Sequence, residues 1–360
     1  MITFLVAKDL YTDAAAKKIK VTYLSWKRES INYNDFILFT RRVRMKGSEH
    51  KVAPVVIFTY NRLTHLSKTI DALKRNTLAP YTELYIYSDA AIDEDAIESI
   101  EKLRSYIDKI DGFKLVHRCY RERNYGALKN IMDGQHEVVE KHGVAIVMED
   151  DNITSKNFLD FMNQALEFYK DDPKVYSICG YCPPTVSEID ESVDVWLYPW
   201  NISWGYAFWK NKYDNIHPLV NNYDKMKRTG LINKIRSMGG IYITDSLYRD
   251  KIKNASFPDA ILCADMTNYG MHSILPTVSK VINIGSDGSG NSKGVFTNKY
   301  DVVLDDGIKK VFNFSNDPII DKQYTSLTTR FYNGKRITIL ARYLGIYHLW
   351  IKLKIFISTL

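Results

Sequence analysis

The chain has 360 residues, 45% of them hydrophobic and 25% charged, which is the balance of a folded globular protein and excludes wholesale disorder. That length accommodates one large α/β domain with a smaller lobe, or two domains sharing a cleft. The formal charge of +7 attracts phosphates, anionic membrane or nucleic acid, but no zinc finger, ribonucleoprotein strand signature or long basic helix supports nucleic acid.

Residues 1–50 read as a variable N-terminal preface, with short strands in MITFLV and FILFTRRVRM and a basic cluster at Arg41, Arg42, Arg44 and Lys46. The opening apolar run is broken at Lys8 and Asp9, so no signal peptide is expected.

Regular patterning begins at Pro54. The run PVVIFTYNR is continuously apolar up to Asn61 and Arg62, which predicts a buried parallel strand. LTHLSKTIDALKRN, with Leu66, Ile70 and Leu73 at helical spacing, predicts the helix after it. ELYIYSDAA predicts a second buried strand ending in Ser88 and Asp89, and a helix over residues 94–109 turns Ile97, Ile100, Leu103 and Ile107 to one face. FKLVHR is a third strand, NYGALKNIMDGQHEVVEKHG a helix, and VAIVMEDDN a strongly apolar strand stopped by three acids. An amphipathic helix follows in TSKNFLDFMNQALEFYKDD, capped by Thr154 or Ser155. This βαβαβ alternation predicts an open α/β sheet whose ligands lie at the carboxyl ends of its strands.

From Pro173 the pattern changes to short strands and aromatic loops. Trp196, Trp200, Trp204 and Trp209 fall in one stretch, which requires either a bulky core or a binding wall. The change of pattern divides the chain into an expected half at 51–172, a second half at 173–300 and a C-terminal extension at 301–360 without a site. Its last part, Ile337 to Leu360, is apolar but interrupted by Arg342, Lys352 and Lys354. It is read either as an interfacial helix on an anionic leaflet or as a terminal helix docked on protein. The four cysteines, Cys119, Cys179, Cys182 and Cys263, lack paired metal-ligand spacing and are expected to be small buried hydrophobes.

Glu149, Asp150 and Asp151 form the sharpest feature. Strand alternation would converge Glu149 and Asp151 and turn Asp150 away. Clustered carboxylates need neutralising, which a divalent metal does directly. Asp89 places another carboxylate at a neighbouring strand end, suited to a base or ribose, with an Asx turn as the alternative. Thr59, Tyr60, Asn61 and Arg62 close the first strand, where Arg62 can fork onto phosphate and Tyr60 can stack on a base. Asn124, Gly126 and Lys129 occupy another strand-to-helix turn, with Lys129 able to neutralise phosphate or simply to be solvated.

In order, PVVIFTYNR, YSD, NYGALKN, MEDDN and WNISWGYAFWK resemble the inverting family-two type of nucleotide-diphospho-sugar glycosyltransferases and the related N-acetylglucosaminyltransferase I group, over residues 54–295. The resemblance implies the nucleotide-diphospho-sugar transferase (GT-A) fold, a mostly parallel central mixed sheet flanked by helices. It implies a hexosyl- or N-acetylhexosaminyltransferase dependent on Mn2+ or Mg2+. The donor would be a nucleotide sugar, first of all a UDP-sugar, held by the nucleotide-sugar-binding half at 51–172, and the acceptor a hydroxyl of a glycan or lipid-linked saccharide, held by the acceptor-binding and catalytic half at 173–300. Asp151 resembles the direct metal ligand, with Glu149 and Asp150 its partners around sugar and ribose, and Asp89 resembles the uridine contact. Trp204, Gly205 and Trp209 resemble the segment lining donor sugar and acceptor. Counting back from Pro276 places Asp259 at the catalytic base, with Pro258 where tryptophan is expected and Asp265 as the local rival. The loop NIGSDGSGNSKG carries Asn291 or Ser292 where the family has histidine, with Asp287 as a substitute oxygen donor. A cytoplasmic enzyme of capsular-type polysaccharide synthesis, peripheral at the membrane face, is the expected setting. The rivals are a glycan-binding module without catalysis and a metal-dependent phosphoesterase or nucleotidyltransferase.

Overall fold

The computed structural model describes residues 52–184, 193–216, 222–253, 257–289, 297–316, 320 and 322–333, with scattered positions from 339 to 349. The chain divides into Met1–Lys51 and Val52–Leu360. The strands expected in the first unit, the loop positions Asn291 and Ser292, and most of the C-terminal tail lie outside the described residues.

The alternation read from the sequence is present. Strand β1 (Val55–Thr59) leads to helix α1 (Leu63–Lys74), and β2 (Glu83–Ser88) to α2 (Ile97–Ile107). Strand β3 (Leu115–Tyr120) is followed by α3 (Gly126–His142), and β4 (Val144–Glu149) by a short β5 (Asn152–Thr154) and then α4 (Phe158–Tyr169). The second half contributes β6 (Val175–Cys179), β7 (Val195–Tyr198), β8 (Tyr206–Trp209), β9 (His272–Pro276) and β10 (Val281–Asn283). Its helices are α5 (Lys210–Ile216), α6 (Tyr223–Arg228), α7 (Leu231–Ser237), α8 (Ile241–Lys253), α9 (Pro258–Tyr269) and α10 (Lys322–Asn333).

Eight strands form one mixed sheet in the order β3-β2-β1-β4-β8-β6-β9-β7, while β10 and β5 pair separately. β3, β2, β1 and β4 are parallel neighbours. β8 then enters antiparallel between β4 and β6, so the parallel order that the sequence predicts for the first half does not extend across the second.

Strand alternation divides the core into two layers. Val55, Ile57, Leu84, Ile86, Ile146 and Met148 face α1, α2 and α4. Val56, Phe58, Tyr85, Tyr87, Ala145 and Val147 face α3 and the helices of the second half. Trp196 and Trp200 belong to the second layer and Trp209 to the first, so most of the tryptophan concentration is core. Only Trp204 of that stretch is half-buried, edge-on to Tyr181 at 4.8 Å and Tyr300 at 5.3 Å. The four cysteines are free, three of them buried.

Residues 301–316 dock on the domain. Asp305 pairs with the buried Lys280, Phe312 enters the core, and Phe314 packs on Phe161 and Phe168. Asp305 also donates its N–H to the Ser279 carbonyl at 2.8 Å, so the segment is tied to the residues that lead into β10. No helix among the described residues is long and apolar enough to cross a membrane.

Candidate active site

The parallel strands β1, β2 and β4 end side by side, and their C-terminal turns carry the polar residues singled out in the sequence. Strand β4 stops at Glu149, so Asp150 and Asp151 lie in a turn where alternation no longer applies. Asp150 therefore does not point away from Asp151. The Nη2 of Arg62 donates to Asp150 and, at 2.8 Å, to Asp151 Oδ2. The side chains of the two acids are 4% and 6% exposed, so a guanidinium one residue before α1 neutralises a nearly buried carboxylate pair. Thr59 Oγ1 donates to Asp150 Oδ2 at 2.9 Å, and Thr69 Oγ1 to the Asp150 carbonyl at 2.7 Å. Both threonines tie the turn to β1 and α1.

Asp151 is held equally firmly from the other side. Its Oδ1 accepts from Asn152 Nδ2 at 3.0 Å and Asn283 Nδ2 at 2.7 Å, and its carbonyl accepts from Ile284 N at 2.9 Å. A Cβ at Gly285 would lie 2.1 Å from Asp151 Oδ2, so only glycine lets the loop after β10 lie on the acid. Beyond it, Asp287 pairs with His65 of α1 at 3.0 Å. Bonds from Ser289, with the His65 charge a lesser cause, hold the Asp287 carboxyl down at about 2. The same loop walls a groove of about 470 Å³ with Thr297, Asp301 and Val302.

A divalent ion does not fit this donor set as it stands. Every oxygen of Asp150 and Asp151 already accepts from a protein donor, and Arg62 occupies the position between them. Among the described residues no group of three or more histidine, cysteine or acidic side chains is arranged to hold an ion.

Glu149 faces the other way. Burial pushes its carboxyl well above the ordinary range, and the charges of Asp151, Asp259 and Asp150 push it further, against the pull of Arg62. Asp259 thus lies close enough to the acidic turn for charge to be felt there. It sits in the first turn of α9, which opens with Pro258; proline suits the first position of a helix, which accounts physically for the departure from tryptophan. Asp259 keeps an exposed face, yet the protein packed around it raises its pKa.

Asp265 is six residues further on, about 240° round the helix. Burial raises its pKa to about 7, but the group its charge perturbs is Tyr176 in β6. The charge of Asp259 is felt at Glu149, whereas that of Asp265 is felt at Tyr176, on another face of the helix.

The remaining predicted residues form the rim. Asp89 is 4% exposed, and its carboxylate accepts from Ala90 N, Tyr125 N and Gly126 N, each at 2.9 Å. It thereby places a negative charge at the N-terminus of α3. Asn124 Nδ2 donates to the Ala90 carbonyl at 2.7 Å, and Tyr60 Oη accepts from Ile92 N at 3.1 Å. Three strand-end loops are thus stitched to one another. Asn61 and Lys129 are exposed, Lys129 pairing with Asp133 and lying 4.9 Å over the Tyr125 ring. Gly205, at φ +64, passes its carbonyl to Gly180 N at 2.6 Å beneath Trp204.

Sequence reasoning missed Thr69, Ser203, Asn283 and Gly285. Asn283 and Gly285 stood in the quoted NIGSDG run, but nothing in their spacing pairs them with Asp151.

No family model matches the chain, and no curated protein matches it. Among solved structures it is similar to S. aureus TarS, at a TM-score of 0.35 and 12% identity over 65% of this chain and 37% of that one. The apo-form glycosyltransferase GlyE of Streptococcus pneumoniae TIGR4 gives a TM-score of 0.29 at 12% identity, over 61% and 44% of the two chains. A second GlyE structure gives 0.32 at 11% identity, over 62% and 45%. This chain spans less than half the length of each of them, and likeness this slight carries no chemistry across.

Proposed function

We propose that this chain transfers a sugar from a nucleotide-diphosphate sugar, first of all a UDP-sugar, to a hydroxyl of a glycan or lipid-linked acceptor, with inversion at the anomeric carbon. The fold in this reading is the nucleotide-diphospho-sugar transferase (GT-A) type. One observation supports it above the others. The ends of β1 and β4 gather a guanidinium and two acids in one turn, and the charge of a separate carboxylate, Asp259, is felt at Glu149 beside them. Transfer needs those two charge environments, one for the leaving diphosphate and one for the attacking hydroxyl.

In this reading Asp259 accepts the proton of the acceptor hydroxyl as that oxygen attacks the anomeric carbon. The bond to the diphosphate breaks and its electron pair leaves with the phosphate oxygen, whose charge develops near Arg62. The stitched loops of Tyr60, Asp89 and Asn124 shape the nucleotide platform, with Asp89 acting through the loops it holds. Gly126 and Lys129 flank it, and Trp204 and Gly205 form the sugar side. A divalent ion joins this reading only where Arg62 moves off Asp151, and no step is assigned to it. The basic, apolar tail after residue 336 would hold the enzyme at an anionic membrane face.

The test pairs binding with turnover. Uridine diphosphate should raise the thermal midpoint of the wild-type protein and of Asp259→Asn alike, since a ligand that binds only the folded state stabilises it. Sugar transfer by Asp259→Asn should fall by roughly 10²-fold or more. No shift with any nucleoside diphosphate sinks the donor site and favours the glycan-binding module. Unchanged transfer by Asp259→Asn sinks the assignment of the base.

A further inference from the structure

A line of polar groups runs from the buried core to Asp259 at the surface. Ser203 Oγ donates to Asp259 Oδ1 at 2.6 Å and accepts from Asn201 Nδ2 at 3.1 Å. Asn201 Oδ1 accepts from Ser177 Oγ at 2.7 Å, and Ser177 and Ser273 share a bond of 2.6 Å. Ser177 and Ser273 are opposite partners in the β6–β9 pairing; both are fully buried, and Asn201 is 7% exposed.

The proton order in this line is forced. An ionised carboxylate only accepts, so Ser203 must give its single proton to Asp259. Ser203 then has lone pairs left for Asn201, which must present its NH2 to Ser203 and its oxygen to Ser177. Ser177 donates to that oxygen, and Ser273 donates to Ser177. Sheet register thus sets the order of bonds at one end, and the carboxylate sets it at the other. A polar line through an apolar core is costly unless every member is paired, and here each member is.

We propose that Ser203 is the positioning residue of Asp259: the Ser273–Ser177–Asn201 line holds its hydroxyl on Oδ1, leaving Oδ2 as the oxygen that receives the acceptor proton. This rests on the reading of Asp259 as base given above. Ser203 favours the charged form of Asp259 by donating to it, against the protein packing that raises its pKa. The other titratable groups that feel Asp259 are Glu149 of β4, Tyr206 of β8 and Cys263 of its own helix.

The experiment is the carboxyl titration of Asp259, followed by 13C NMR in substrate-free protein, beside the pH profile of kcat/KM. In Ser203→Ala the titration and the acid limb of the profile should both move up by about one pH unit. In Ser203→Thr, which keeps the hydroxyl, both should stay. Ser177→Ala, two bonds away, should move both by less than Ser203→Ala. An unmoved titration in Ser203→Ala, or an equal shift in Ser203→Thr, overturns the proposal. A titration that moves in a protein without transfer activity overturns the proposed reaction and leaves the coupling standing, so the two failures are distinguishable.

Discussion

Replacing Arg62 by glutamine removes the cation between Asp150 and Asp151 while leaving an amide of similar reach. The two acids are 4% and 6% exposed and Arg62 is 19% exposed, so water does little to screen the loss. Breaking a pair this buried from one side costs on the order of 3–5 kcal/mol. For a domain of this size that corresponds to a thermal midpoint lower by on the order of 10 °C. The loss should also depend on pH in a fixed direction. Burial already raises Asp150, and the Arg62 charge opposes that rise. Without Arg62 the folded-state pKa climbs further above its unfolded value. The native state then binds protons that the unfolded chain releases, and its stability falls as pH rises from about 4 upward. Arg62→Gln should therefore be nearer to wild type at pH 5 than at pH 8 in urea or guanidinium unfolding. Adding Asn at position 150 in the same chain should recover part of the loss. Millimolar Mn2+ tests the vacated space: if the acids accept a divalent ion once the guanidinium is gone, the variant gains more midpoint than the wild type does. A destabilisation below about 1 kcal/mol at pH 8, or one equal at both pH values, would refute the view that Arg62 is the cation on which this turn depends.

Two further predictions concern other parts of the chain. Asp265 has a folded pKa of about 7 through burial, so it costs the native state nothing below its unfolded pKa and an increasing amount as pH rises towards 7. Asp265→Asn should remove that slope from unfolding curves measured between pH 4 and 8 while leaving sugar transfer intact, and a lost activity would return Asp265 to candidacy as the base. The tail after residue 336 carries Arg342, Lys352 and Lys354 with no acid to balance them, and Leu340, Leu344 and Leu349 are 59–65% exposed. Flotation with phosphatidylglycerol vesicles should retain the full chain at low salt and lose a version truncated at Arg336, whereas equal flotation of both would assign the tail to a protein partner.

The first half of the fold was legible because its signals are local. Continuous apolar runs at residues 55–59, 83–88 and 144–149, and helices with one apolar stripe, need no knowledge of partners to be recognised. The entry of β8 between β4 and β6 was not legible, because YAFW carries nothing that states its direction. The tryptophans illustrate the same limit. Sequence proximity grouped Trp196, Trp200, Trp204 and Trp209, but strand alternation and sheet packing sent three of them into the core and left Trp204 half-buried between Tyr181 and Tyr300.

The site divides along the same line. Acids at a strand end are visible as residue types, whereas the identity of the cation that neutralises them depends on which helix begins beside the turn. Alternation suggested that Asp150 would turn away, and a metal was the natural answer for acids left facing one another. The strand instead ends at Glu149, two residues earlier than that argument requires, and both acids turn onto Arg62. Arg62 had been read as a phosphate ligand, a role for a free guanidinium. Held between two carboxylates, it is part of the turn's own charge balance, and any diphosphate or metal entering here competes with an interaction already made. In the proposed reading, binding of the donor would have to redistribute Arg62, Asp150 and Asp151 together, so that nucleotide affinity and the stability of the fold would depend on the same three side chains.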